Sequence, residues 1–306
     1  MINIETISKL YYEKYNIRIH KFTELTSGWS NDYKLHLYTN QGDFLLRISE
    51  YSNKQETIKK YEYSKTLYND KIKMSKSLCI DSLDHKYILW LLSWIPGNEL
   101  RQVIDTFSYS EQYCIGYKAG SNLKILHENQ SEIKNISWSS LYGEKIKKKI
   151  DRYLRCGDKY DNDEVVLDYI YNHINLLDDR PIIIQHGDYH DGNIVINLNK
   201  QIGIIDYNRI DIGDPWQEFD KTIWSLKYSL GFTQGIVDGY FDNNIPEKFF
   251  QLLALYVSVL QISNLPWAIK YNQRNQVQIC KEQTKKLIFW YDNYNTVIPK
   301  WFMEGR

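Results

Sequence analysis

Asp188, Asn193 and Asp206 are the residues whose types and spacing could do chemistry in this chain. All three lie in the segment 181–219, PIIIQHGDYHDGNIVINLNKQIGIIDYNRIDIGDPWQEF. An amide oxygen and a carboxylate are hard donors, of the kind Mg²⁺ takes together with substrate phosphate oxygens. A further carboxylate close by could accept a proton from an attacking hydroxyl. Phosphoryl transfer asks for little else beyond positioning and neutralisation of charge.

The local pattern says how these groups meet. Ile194-Val195-Ile196 and Ile202-Gly203-Ile204-Ile205 are apolar runs around the polar turn 197–201, which reads as an antiparallel hairpin. In such a hairpin the residue before the first strand lies beside the residue after the second. Asn193 and Asp206 hold those positions, and the loop 186–192 carrying Asp188 approaches the same end. His186 and His190 are spaced like a metal pair, but that spacing needs a helix, and Gly187 and Gly192 disfavour one. Asp191, Asp211 and Asp214 read as turn or capping carboxylates.

The pattern H-G-D-x-x-x-x-N followed by I-I-D resembles the catalytic and metal loops of the aminoglycoside phosphotransferase and choline kinase family, relatives of the protein kinases. The resemblance implies an α+β, bilobal, protein-kinase-like fold, with a small sheet-rich N-terminal lobe over 1–96 and a larger helical lobe over 97–306. It implies Asp188 as catalytic base, Asn193 and Asp206 as Mg²⁺ ligands, and His186 as the residue ordering the loop. Further implied positions are weaker in motif. Ser27, Gly28 and Ser30 occupy the place of a phosphate-covering loop, and Arg47 that of the phosphate-gripping lysine. Glu62, with Glu56 as the competing choice, would orient Arg47. The strand and loop reaching Ser93 and Ile95 match the hinge that would bond the base of ATP or GTP through backbone groups. Asp214-Pro215 and Leu126-His127 match structural signatures.

The elements needed to position these groups are visible in outline. Residues 1–20 read as a helix, and 33–38 with 44–48 as strands around a Gly-containing turn. Residues 55–68 look helical, and 87–94 form an apolar strand ending at Pro96-Gly97. Beyond residue 108 the apolar spacing lengthens to that of buried helices.

Composition narrows the function classes. Net charge is zero, yet 158–220 carries 14 acidic and 4 basic residues, which argues against nucleic acid and for cationic partners. Cys79, Cys114, Cys156 and Cys280 form no CxxC pair, as expected of reduced thiols in a cytoplasmic protein. The start of the chain has no signal-peptide pattern, and no apolar run is expected to reach the ~20 residues of a membrane span. No obligate protein partner is evident.

The expected partner is a small-molecule acceptor, cationic in character, met by Asp191, Glu218, Asp220, Trp224, Trp267 and Tyr271, with Asp238 and Tyr240 nearby in sequence. Carboxylates suit an aminoglycoside, whereas aromatic rings suit the quaternary ammonium of choline. Homoserine or another metabolite alcohol stays open, as does a kinase-like binding protein without catalysis.

Overall fold

The computed structural model describes residues 3–26, 32–271 and 273–305. The chain forms two compact units: Met1–Leu100 with His186–Asp188 and Gly192–Asp211, and Arg101–Gln185 with Tyr189–Asp191 and Ile212–Arg306.

In the first unit, helix α1 (Ile4–Tyr15) is capped by Asn3, whose Oδ1 accepts the Glu5 N–H at 2.9 Å. It ends at Asn16 in the left-handed conformation, so strand β1 (Ile19–Glu24) begins just before residue 20, where the expected helix would have ended. Strands β2 (Tyr33–Thr39) and β3 (Gly42–Glu50) follow, then helix α2 (Lys54–Leu67) and strands β4 (Ser77–Leu83) and β5 (Tyr87–Ser93). The five strands make one antiparallel sheet in the order β1-β2-β3-β5-β4.

Alternation along β2 and β3 separates two faces. Leu35, Leu37, Leu46 and Ile48 turn to a core shared with Ile7 and Tyr11 of α1. The opposite set on these strands includes Lys34, His36, Arg47 and Ser49, and the register pairs Lys34 with Arg47 directly. Helix α2 is tied to the sheet by Ser64 Oγ and Ser77 Oγ at 2.5 Å and by the edge contact of Tyr61 with Trp90.

The expected hairpin is present as Ile194–Ile196 and Ile202–Ile204. It groups with the first unit, although it lies far beyond the boundary near residue 97 expected from the sequence. The reason is local: Ile204 N–H donates to Lys73 O at 2.9 Å and Ile204 O accepts the Ser75 N–H at 2.9 Å.

The second unit is mainly helical. Helices Tyr109–Glu128 and Leu230–Phe241 cross with their backbones almost touching. A Cβ on Gly116, Gly120, Gly235 or Gly239 would fall within 2.2 Å of a carbonyl oxygen of the other helix. Helix Glu247–Lys270 is, against expectation, long and apolar enough to cross a membrane by composition. Most of that apolar stretch, 72%, is buried inside the fold, as in a core helix.

Candidate active site

The hairpin register brings Asn193 and Asp206 to one end. Ile194 pairs with Ile204, and one step further the Ile205 N–H donates to the Asn193 carbonyl at 3.0 Å. Asn193 Nδ2 donates to the Asp188 carbonyl at 2.8 Å and to Asp188 Oδ2 at 3.2 Å. The amide thereby ties the loop to the hairpin. Its own Oδ1 accepts no hydrogen bond among the described residues.

Asp206 sits at φ 67°, a left-handed conformation uncommon outside glycine. Its Oδ1 accepts from Asn208 N–H at 3.1 Å, a local turn that favours this conformation, and from Arg47 Nη1 at 2.6 Å. Its Oδ2 takes no hydrogen bond among the described residues, and the side chain is 34% exposed. Burial alone would raise the Asp206 carboxyl, but the Arg47 guanidinium and the two hydrogen bonds hold it below the usual carboxylate range.

The donor set fits Mg²⁺. Two hard oxygens, Asn193 Oδ1 and Asp206 Oδ2, are left over after the internal bonds are made, a number suited to an ion that completes its shell with phosphate and water. Among the described residues, no three His, Cys, Asp or Glu side chains converge as a metal-binding group. His186 is fully buried, and its Nε2 donates to Ile205 O at 3.0 Å, so this histidine fastens the loop to the hairpin. Gly187 has φ 80°, and a Cβ there would lie 1.9 Å from Arg209 O. Only glycine permits that approach. Arg209 Nε in turn stands 3.7 Å from Asp188 Oδ2.

Arg47 is 3% exposed along its side chain. Its Nε and Nη2 donate to Asp32 Oδ2 at 3.1 and 2.8 Å, while Nη1 holds Asp206. Glu62 therefore does not orient it: that carboxylate is exposed on α2 and meets Lys65 at 3.3 Å. Glu56, the competing choice, pairs with Lys60 at 2.6 Å. The acid that sequence reasoning missed is Asp32, whose Oδ1 also accepts from Ser49 Oγ at 2.8 Å. Lys34, half-buried opposite Arg47, has its ammonium pulled down by burial and by Arg47 against the pull of Asp206 and Asp32.

Ser27, Gly28 and Ser30 lie outside the described residues. At the expected hinge, the Ser93 N–H donates to Lys76 O at 2.9 Å and its carbonyl accepts Ser75 Oγ at 2.7 Å. Ile95 has no backbone hydrogen bond among the described residues, so it and not Ser93 keeps both backbone polar groups uncommitted.

The expected acceptor acids are not open groups. Asp191 is 1% exposed, gripped by Arg101 at 2.8 and 3.1 Å and by Ser225 Oγ at 2.7 Å. Glu218 lies 3.5 Å from His127, and Asp220 pairs with Lys221 at 3.1 Å, all buried. Burial raises the Asp220 carboxyl despite Lys221. Carboxylates enclosed this way are committed to partners inside the second unit, and removing a partner would leave a buried charge uncompensated. Asp238 and Tyr240 are buried too, bonded to Tyr113 and His127. Trp224 is half-buried edge-on to His190, and Trp267 and Tyr271 are exposed with rings 5.4 Å apart. Asp214, by contrast, is the structural residue expected: fully buried, it binds Arg180 through two bonds of 2.8 Å and caps the turn after it.

The signature of the phosphotransferase enzyme family matches residues 21–248. The chain belongs to this family. As a phosphotransferase of this kind it is an enzyme that phosphorylates hydroxyl groups. Its α+β, protein-kinase-like fold is that of solved aminoglycoside phosphotransferases. A thermostable mutant of the aminoglycoside phosphotransferase APH(4)-Ia, solved in a ternary complex with ADP and hygromycin B, is 12% identical with a TM-score of 0.68, over 93% of this chain and 98% of that one. Aminoglycoside 2'-phosphotransferase-IIIa, solved with GDP, is 14% identical with a TM-score of 0.65, over 94% and 98%. The gentamicin complex of APH(2")-IIa is 14% identical with a TM-score of 0.61, over 92% and 96%. No curated protein matches the chain by sequence.

Proposed function

We propose that this phosphotransferase moves the γ-phosphoryl group of ATP or GTP to a hydroxyl of an aminoglycoside-like small molecule. The observation that carries the reading is the one-ended cluster of Asp188, Asn193 and Asp206. An acid sits in the loop, and two uncommitted oxygens sit beside it on a rigid hairpin. Asp188 orients the acceptor hydroxyl and takes its proton as the oxygen attacks phosphorus in line. Asn193 and Asp206 hold Mg²⁺, which when bound neutralises charge on the phosphate oxygens. Arg47 keeps the Asp206 carboxylate ionised and oriented. Ile95 offers backbone groups to the nucleotide base.

The acceptor class is supported by the hygromycin B and gentamicin bound to similar structures, not by the acidic residues 191, 218 and 220, which are internally paired. A second reading, a choline or homoserine kinase, has one observation in its favour: the exposed Trp267 and Tyr271 rings, which suit a quaternary ammonium. The test is nucleotide turnover with Mg²⁺ across a panel of aminoglycosides, choline and homoserine, using the intact chain and Asp188→Asn. An aminoglycoside substrate whose turnover falls about 10²–10⁴-fold in the variant, with nucleotide binding retained, is the expected result. Turnover of choline alone would select the second reading. Asp188→Asn at near-normal rates would remove the base assignment.

A further inference from the structure

Residues that act through a ligand are harder to see than the ligand itself, and one such residue, Asp32, immediately precedes β2. The β2–β3 register sets Lys34 opposite Arg47, which makes Asp32 the diagonal neighbour of Arg47 on the same face of the sheet. The side chains use that placement fully. Arg47 Nε and Nη2 both converge on Asp32 Oδ2, and Ser49 Oγ steadies the other Asp32 oxygen. The remaining arm, Nη1, reaches Asp206 Oδ1. A guanidinium is planar, so fixing two of its nitrogens on Asp32 fixes the direction of the third. That direction decides which oxygen of Asp206 is engaged and which is left for a cation.

The carboxylates of α2 take no part. Glu56 and Glu62 are exposed and paired with lysines of their own helix.

We propose that Asp32, through Arg47, is the positioning residue for the Asp206 carboxylate, a task that Glu56 and Glu62 of α2 do not share. This rests on the phosphotransfer reading above, in which Asp206 is a Mg²⁺ ligand.

The test is Mg²⁺ titration of nucleotide-dependent thermal stabilisation, with AMP-PNP and its guanine counterpart as probes, on the intact chain, Asp32→Asn, Asp32→Glu and Glu62→Gln. Asp32→Asn should raise the Mg²⁺ concentration for half-maximal stabilisation by about 10-fold or more, the usual effect of losing a residue that orients a metal ligand. Asp32→Glu should recover part of the shift, and Glu62→Gln should stay within about twofold of the parent, given its exposed position. Asp32→Asn titrating like the parent overturns the proposal. So does Glu62→Gln shifted about 10-fold, a result that stands even if Asp32→Asn fails to fold. If the parent itself shows no Mg²⁺-dependent stabilisation with either probe, the phosphotransfer reading falls and takes this proposal with it. A responsive parent with an unaffected Asp32→Asn sinks the proposal alone.

Discussion

Replacing Arg47 with methionine keeps most of the apolar stem and removes the fork that joins Asp32 to Asp206. Breaking a buried ion pair by deleting one partner costs about 3–5 kcal/mol, because the other charge stays behind unpaired. Here the orphaned Asp206 is 34% exposed and Asp32 19%, so water recovers part of that. A loss of about 2–3 kcal/mol at pH 7 is expected, or a fall in melting temperature of roughly 4–12 °C. The loss has a pH signature. With Arg47 in place, the Asp206 carboxyl titrates below its unfolded value, so it adds stability above about pH 4 that disappears as the pH falls through the lowered folded value. Without Arg47, burial is the main influence left and pushes the folded value up. The variant is then penalised most at neutral pH, and the penalty shrinks as acid protonates the carboxyl. Urea unfolding followed by circular dichroism at pH 7 and pH 4.5 measures both terms. A difference below about 0.5 kcal/mol at pH 7, or one that is equal at both pH values, would mean that the pair behaves like a solvent-screened surface contact, and the reasoning from burial would fail.

Gly187→Ala puts a methyl group where Arg209 O already stands, at φ 80°, so turnover should fall at least about 10²-fold while the far-UV spectrum is preserved; steady-state kinetics and circular dichroism check it. Arg101→Met strips the partner from a carboxylate that is 1% exposed, and should cost the fold about 3–5 kcal/mol in denaturant titration.

Asn193 and Asp206 were legible because a hairpin with apolar strands and a polar turn dictates its own register, and the register dictates which residues meet. The partner of Arg47 was less so. Glu62 sits on the expected helix, but which way a helix turns its acids depends on packing, whereas Asp32 follows from the β2–β3 register that the turn at residues 40–41 fixes. The signal for Asp32 was therefore in the sequence, as the position just before β2 that continues its register to a diagonal with Arg47. Residues 191, 218 and 220 are buried and paired, contrary to the open acids expected, for a different reason. Whether an acid faces water or a cation depends on Arg101, His127 and Lys221, and two of these are distant in the chain. Strand β4 (SLCIDSL) has mixed burial and no flanking Gly or Pro, so nothing local announces it. The strand reaching Ser93 was plain in the sequence, but the use of the Ser93 backbone by Lys76 and Ser75 depends on the neighbouring chain segment.

The two glycine-seamed helices carry a consequence for how this enzyme tolerates change. Tyr189, the residue next to Asp188, hangs by its hydroxyl from Ala119 O, in the middle of helix Tyr109–Glu128 and one residue from Gly120. Side chains that pack loosely can absorb a new methyl group by rotating, but two backbones in contact have nothing to rotate. Any residue larger than glycine along that seam must wedge the helices apart as rigid rods, and the tyrosine's anchor travels with one of them. Sequence drift should therefore be free over much of the helix surface and nearly forbidden along this line, which never touches a reacting atom.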